Sequence, residues 1–188
     1  MTTYYDNPQN VAEYIKMAEG YDGAHLISIL KGHLPRGAAV LELGMGPGVD
    51  LRILSRDFQV TGSDRAQPFL DLYRQNHPEA DLLLLDAITL ETDRKFDGIY
   101  SNKVLHHLTP DELKRSFERQ AALLNAGGIA LHSFWQGEGV EEMAGMRFFY
   151  HTLPTLAPHF EPDFALLKSG GYAEMETDDS LYVVLQKL

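Results

Sequence analysis

The stretch Val40-Leu41-Glu42-Leu43-Gly44-Met45-Gly46-Pro47-Gly48 places three glycines at alternate positions behind an apolar run with an acid near its end. The run reads as a buried strand, and the glycines as a tight turn delivering it to a helix that begins near Val49-Asp50. Such a turn needs unusual backbone angles, and it lets a ligand approach the main chain closely. A dinucleotide fingerprint would require glycine at position 49, where this chain has Val49. Glu42 also points to different chemistry. A carboxylate there suits a positively charged ligand and would repel a pyrophosphate. Further acids follow at Asp64, after Thr61-Gly62-Ser63, and at Asp86, after Leu82-Leu83-Leu84-Leu85. An acid at a strand end is also an ordinary turn residue. At the end of the second strand it can accept both hydroxyls of a ribose.

These residues need strands to carry them, and the chain supplies an alternation. Helical patterning runs from Asn7 to His33, and Pro35-Arg36-Gly37 punctuates it. The spacing then predicts a strand near 39–43, a helix near 48–56, and a strand from Phe58 to Gly62. A helix at about 67–76 and strands at 81–85 and Asp97 to Ser101 come next. Thr109-Pro110-Asp111-Glu112 offers a capping Thr, Pro at the first helical position and Glu for a capping box. Gly127-Gly128 is expected to end that helix and open a strand through Ser133. Tyr172 to Thr177 and Leu181 to Leu185, flanking Asp178-Asp179-Ser180, read as a hairpin. Alternation of this kind implies a mainly parallel sheet covered by helices on both faces, that is, a three-layer doubly wound α/β fold.

The strand–Glu–Gly-x-Gly-x-Gly signature, the acids after successive strands and the terminal hairpin occur in an order that covers nearly the whole chain. Together they resemble class I S-adenosylmethionine-dependent methyltransferases. The resemblance implies a seven-stranded, mostly parallel sheet with a C-terminal antiparallel hairpin. It also implies S-adenosylmethionine as cofactor and S-adenosylhomocysteine as product. By the same resemblance Glu42, Gly44, Gly46 and Gly48 hold the cofactor, Asp64 chelates its ribose, and Asp86 with Ala87 lies near the adenine. Asn102, in Ser101-Asn102-Lys103-Val104-Leu105-His106-His107-Leu108, falls in the segment that passes the methionine moiety. Arg65 follows Asp64 where many relatives carry a small polar residue. It either adds a cation near the adenosine or makes a surface salt bridge. Residues 1–37 correspond to a helical lid, with Tyr14 and Tyr21 assigned to the cofactor and Tyr5 to the acceptor.

Methyl transfer from a sulfonium is an in-line displacement for which the cofactor supplies the activated group. The protein must position the nucleophile and exclude water, and it needs a base only if the nucleophile loses a proton. His107 and His132 are the candidate bases, since histidine titrates near neutrality; the alternative for each is plain packing. Residues 134–163 do not fit the alternation and are expected to build the acceptor pocket. Trp135, Arg147 and Tyr150 from this segment, with His106 and Tyr5, are its candidate walls. Met143, Met146, Phe148 and Phe149 are set at helical spacing there.

Ser101-Asn102 offers no carboxylate for a metal, and it departs from the Asn/Asp-Pro-Pro-aromatic motif of nucleobase amino-methyltransferases. A metal-independent reaction on a small molecule is therefore expected. The 188 residues suit a single domain, and 44% hydrophobic with 23% charged residues is the composition of a globular protein. A net charge of -11 argues against nucleic acid or an anionic membrane as partner. Cysteine is absent, so disulfides and cysteine-ligated metals are excluded. The start lacks a signal-peptide pattern, and a cytoplasmic monomer or homodimer is expected. The rival readings are a cofactor-binding protein without transfer activity and a nicotinamide-dependent oxidoreductase. Glu42 and Val49 disfavour the second.

Overall fold

The computed structural model describes residues 8–143 and 145–188. In chain order, α1 (Pro8–Met17) and α2 (Ala24–Lys31) lead to β1 (Ala39–Leu43), α3 (Val49–Leu54), β2 (Gln59–Asp64) and α4 (Gln67–Asn76). Next come β3 (Leu82–Leu84), β4 (Phe96–Asn102), a 3-10 turn (Leu105–His107), α5 (Pro110–Leu123) and β5 (Leu124–Trp135). The chain closes with β6 (Val140–Met143), β7 (Met146–Phe149), α6 (Leu153–Phe160), β8 (Phe164–Tyr172) and β9 (Ser180–Lys187). One seven-stranded sheet has the order β3-β2-β1-β4-β5-β9-β8. β1 to β5 run parallel, whereas β9 is antiparallel to both β5 and β8. The predicted doubly wound class is the one observed. Its strand order reverses between β1 and β4, the place where open parallel sheets bind ligands.

Strand alternation sorts the side chains into two layers. Leu41, Leu43, Ile99, Ala130 and Phe134 pack with Phe117 of α5 and Phe160 of α6. Val40, Tyr100, Ile129 and Leu131 pack on the other face with Leu26, Ile27 and Leu30 of α2. α5 starts as its sequence predicts. The Thr109 N–H donates to the Glu112 carboxylate at 2.9 Å, while the Thr109 hydroxyl accepts from the Glu112 N–H at 3.4 Å.

Three expected elements are corrected. β5 begins at Leu124, directly after α5, so Gly127-Gly128 lies inside the strand. The register against β4 jumps there, from Phe96 opposite Leu124 to Gly98 opposite Ile129, and the glycines absorb the bulge. The C-terminal hairpin joins 164–172 to 180–187, and residues 173–177 are not a strand. The Asp179 carboxylate accepts the N–H groups of Glu174, Met175 and Glu176 at 2.8–2.9 Å, which turns that segment into a loop. Finally, 140–149 is a two-stranded hairpin, with Glu142 opposite Arg147 and Met143 opposite Met146, so its aromatic residues follow a strand period. Gly145, at a φ of 75°, supplies the turn.

Candidate active site

The carboxyl ends of β1, β2 and β4 bring together three buried acids. Glu42 is 3% exposed, and its Oε2 has no hydrogen-bond partner among the described residues. Burial, then the charges of Asp50 and Asp64, push its carboxyl well above the usual carboxylate range. Asp64 accepts the Gly46 N–H at 3.0 Å and the Ala66 N–H at 2.9 Å. Burial raises its carboxyl, while these backbone donors and the nearby Arg65 pull the other way. Asp50, in the first turn of α3, accepts the Gly23 N–H at 2.7 Å, the Tyr100 hydroxyl at 2.7 Å and the Asn102 amide at 3.2 Å. It thereby ties the start of α2 to the end of β4. The sequence marked Asp50 only as a helix-start residue, because no local pattern reveals a partner fifty residues away.

The glycine turn lies over these acids. Gly46 has a φ of 48°, in the left-handed region, and a side chain there would enter the gap below Tyr14. A Cβ at Gly46 would stand 3.6 Å from a Tyr14 ring carbon. Tyr14 itself packs edge-on against Phe69 of α4, with centroids 5.8 Å apart, and so carries α1 over the turn. Burial, then Asp64 and Asp50, raise its hydroxyl. At Gly44 and Gly48 a Cβ would instead strike Val104 and Tyr73, so these two glycines serve close packing.

The remaining predicted cofactor residues are placed less uniformly. Asp86 is half-buried, with Oδ1 accepting the Ile88 N–H at 2.7 Å, and the Ala87 carbonyl accepts the Ser116 hydroxyl at 2.6 Å. Asn102 donates to Asp50 and accepts the Ser133 hydroxyl at 2.6 Å. Arg65 is exposed. Tyr21 is 44% exposed and lines a cleft of about 700 Å³ with Lys16, Pro47, Arg52 and His77, on the outer side of the glycine turn. That cleft includes none of Glu42, Asp64 or Asp86.

Among the proposed catalytic and acceptor residues, His132 needs the clearest correction. It lies within β5, fully buried, with Nδ1 2.8 Å from the Ser101 hydroxyl and its ring edge-on to Phe117. Alternation turns it toward α5, away from the face that carries Ser133 and Trp135. Burial lowers its pKa to about 3, so it stays neutral within the core. His106 and His107 sit together on the 3-10 turn after β4, with rings 4.1 Å apart. His107 Nδ1 lies 2.9 Å from the Arg147 carbonyl, and burial lowers its pKa. Arg147 thus contributes its backbone, while its side chain is exposed. Tyr150 donates to Glu141 at 2.7 Å across the hairpin and does not join the histidines. Tyr5 lies outside the described residues.

A second cluster had no sequence signal. Lys103, at a φ of 54°, places its ammonium 2.9 Å from the Glu174 carboxylate, 2.6 Å from the Ser180 hydroxyl and 3.3 Å from the centre of the Trp135 ring. Burial lowers its pKa, while Glu174 opposes the shift. Lys103 therefore pins the loop between β8 and β9 to the end of β4.

This architecture has known counterparts. Residues 40–128 match the family model described as a methyltransferase domain. A Burkholderia thailandensis 1,6-didemethyltoxoflavin-N1-methyltransferase, solved with 1,6-didemethyltoxoflavin and S-adenosylhomocysteine, superposes with a TM-score of 0.80 at 24% identity. The match covers 95% of this chain and 85% of that one. A trans-aconitate 2-methyltransferase of Variovorax paradoxus is 34% identical over 100 residues, covering 51% of this chain and 38% of the relative. A tRNA (carboxymethyluridine(34)-5-O)-methyltransferase of Saccharomyces cerevisiae is 30% identical over 103 residues, covering 54% of this chain and 37% of the relative. The chain spans less than half the length of the curated relatives it matches. The matched segment contains Glu42, Asp50, Asp64, Asp86 and the His106–His107 turn, whereas Trp135 and the β6–β7 hairpin lie beyond it. Among the described residues no helix is long and apolar enough to cross a membrane.

Proposed function

We propose that this chain is an S-adenosylmethionine-dependent methyltransferase that acts on a small-molecule acceptor without a metal ion. The observation that carries this reading is the Glu42 carboxyl, buried beside Asp50 and Asp64 under a glycine turn, with an Oε2 that has no partner among the described residues. A cluster of buried acids suits a ligand that brings positive charge and no phosphate. When bound, S-adenosylmethionine supplies an electrophilic methyl group on sulfur. Asp64 is the group to hold the ribose hydroxyls, and Glu42 is the group to offset the ligand's positive charge. Asn102, held by Asp50 and Ser133, marks the boundary between cofactor and acceptor.

The net charge of -11 favours a small acceptor over a polyanion such as tRNA. Ser101 and Asn102 at the end of β4 offer a metal no carboxylate. A cysteine-free chain suits a reducing cytoplasm. Calorimetric titration with S-adenosylmethionine, S-adenosylhomocysteine and NADH tests the reading. The first two are expected to bind and NADH is not. Binding of NADH alone would overturn it.

Two variants refine the map. Asp64→Ala is expected to weaken S-adenosylmethionine binding by roughly 1.5–3 kcal/mol, the range for hydrogen bonds to charged groups. An unchanged affinity in the folded variant would remove Asp64 from the ribose site. Glu42 predicts a pH dependence. Its carboxyl is raised in the free protein, and a bound cation stabilises the charged form, so binding expels a proton. Affinity should therefore rise with pH up to the raised pKa. Below that pKa it should fall by up to about tenfold per pH unit. Glu42→Gln should flatten the slope, which calorimetry in buffers of different ionisation enthalpy would detect.

A further inference from the structure

His106 is 2% exposed, and neither of its ring nitrogens has a hydrogen-bond partner among the described residues. A neutral imidazole carries one donor and one acceptor, and buried polar groups in folded proteins are almost always paired. His106 is surrounded instead by aromatic rings, one of them stacked on it. Phe148 lies nearly parallel to it, at 17° and 5.4 Å between centroids, with the His107 ring at 4.1 Å and the Trp135 ring at 6.4 Å. Phe148 belongs to the β6–β7 hairpin, whose strand β6 is exposed throughout. The hairpin is held to the histidine turn by Phe148 against both rings and by the Arg147 carbonyl against His107. Backbone bonds between His151 and both Trp135 and Gly137 close the base of this ribbon, and beyond that base a two-stranded ribbon has little stability of its own, so it can hinge away from the turn.

We infer that the methyl acceptor is a planar aromatic or heteroaromatic molecule with a hydrogen-bonding ring atom or substituent, which takes the place Phe148 holds on His106. The inference rests on the methyltransferase reading and names the substrate class of that same site. Stacking rewards a flat ring, and the His106 nitrogens supply the polar match that the protein itself leaves unmade. The hairpin then closes on the acceptor's other face and shields it from water. The histidine turn follows Asn102 by four residues, next to the Asp50 network, so the acceptor stands beside the proposed cofactor position.

The test uses the full chain saturated with S-adenosylhomocysteine and labelled with nitrogen-15 at histidine. The probes are 4-hydroxyquinoline and lumazine, with decahydroquinoline and cyclohexanol as non-planar counterparts. At least one planar probe should bind and shift the His106 ring-nitrogen signals, a reading that needs no variant. His106→Phe keeps a ring of similar size and removes both nitrogens. It should weaken the planar probe tenfold or more while leaving S-adenosylhomocysteine affinity unchanged. The saturated counterparts should bind at least tenfold more weakly than the planar probes. Binding by neither planar probe, undiminished binding in His106→Phe, or equal binding of saturated rings would each overturn the inference. Failure of S-adenosylhomocysteine to bind counts against the methyltransferase reading alone. The probes are then titrated against the free protein, where the same outcomes decide.

Discussion

Gly46→Val is expected to cut S-adenosylmethionine affinity a hundredfold or more, about 2.7 kcal/mol, with the sheet still folded. Two effects act together. The residue sits at a φ of 48°, which a β-branched side chain adopts only with strain, so the turn shifts and its N–H leaves Asp64. The new methyl groups also enter the gap between the turn and Tyr14, where a Cβ alone already stands 3.6 Å from the ring. Nothing in the two core layers touches this position, so far-UV circular dichroism should remain that of the parent. Normal binding in the folded variant would mean that the loop does not approach the ligand.

His107→Ala is expected to lower turnover by about 10²–10⁴ at neutral pH, with cofactor affinity retained, for an acceptor that loses a proton. A carbonyl can only accept, so the contact with Arg147 assigns the proton to Nδ1 and leaves the Nε2 lone pair free. Burial lowers the pKa, so the ring is neutral at physiological pH and competent as a base. Turnover should fall as pH drops through that lowered pKa. His107→Asn separates the base from the hairpin contact, because its amide still donates to a carbonyl. Equal loss in both variants is the expected result. Full activity in His107→Asn would leave His107 only the task of holding the hairpin.

The parts of this protein legible in its sequence are those governed by short-range rules. The glycine turn, the α4 span and the capping box of α5 depend on backbone angles and on neighbours within a few residues. The order of strands and helices likewise follows from local periodicity. The expected start of β5 failed because Gly127 and Gly128, ordinary helix stoppers by rule, instead absorb a register jump against β4 that only pairing imposes. The loop at 173–179 failed similarly, since Asp179 gathers three backbone N–H groups and removes residues that alternate like a strand.

The identity of the partners was decided by tertiary structure alone. Sequence placed Glu42, Asp64 and Asp86 at strand ends, and it could not show that the Glu42 Oε2 would find no partner among the described residues while Asp50 collected donors from Gly23, Tyr100 and Asn102. His106, His107 and His132 were equivalent as residue types. Pleating turned His132 into the α5 layer, and the turn after β4 set the other two against Phe148. Lys103 carried no motif, yet it meets Glu174 and Ser180 some seventy residues further on. Local sequence determines which groups stand at the carboxyl ends of the strands, because periodicity and turn chemistry act over a few residues. Which of those groups lose water, and which meet one another, depends on the packing of segments far apart in the chain, and burial and proximity set their chemistry.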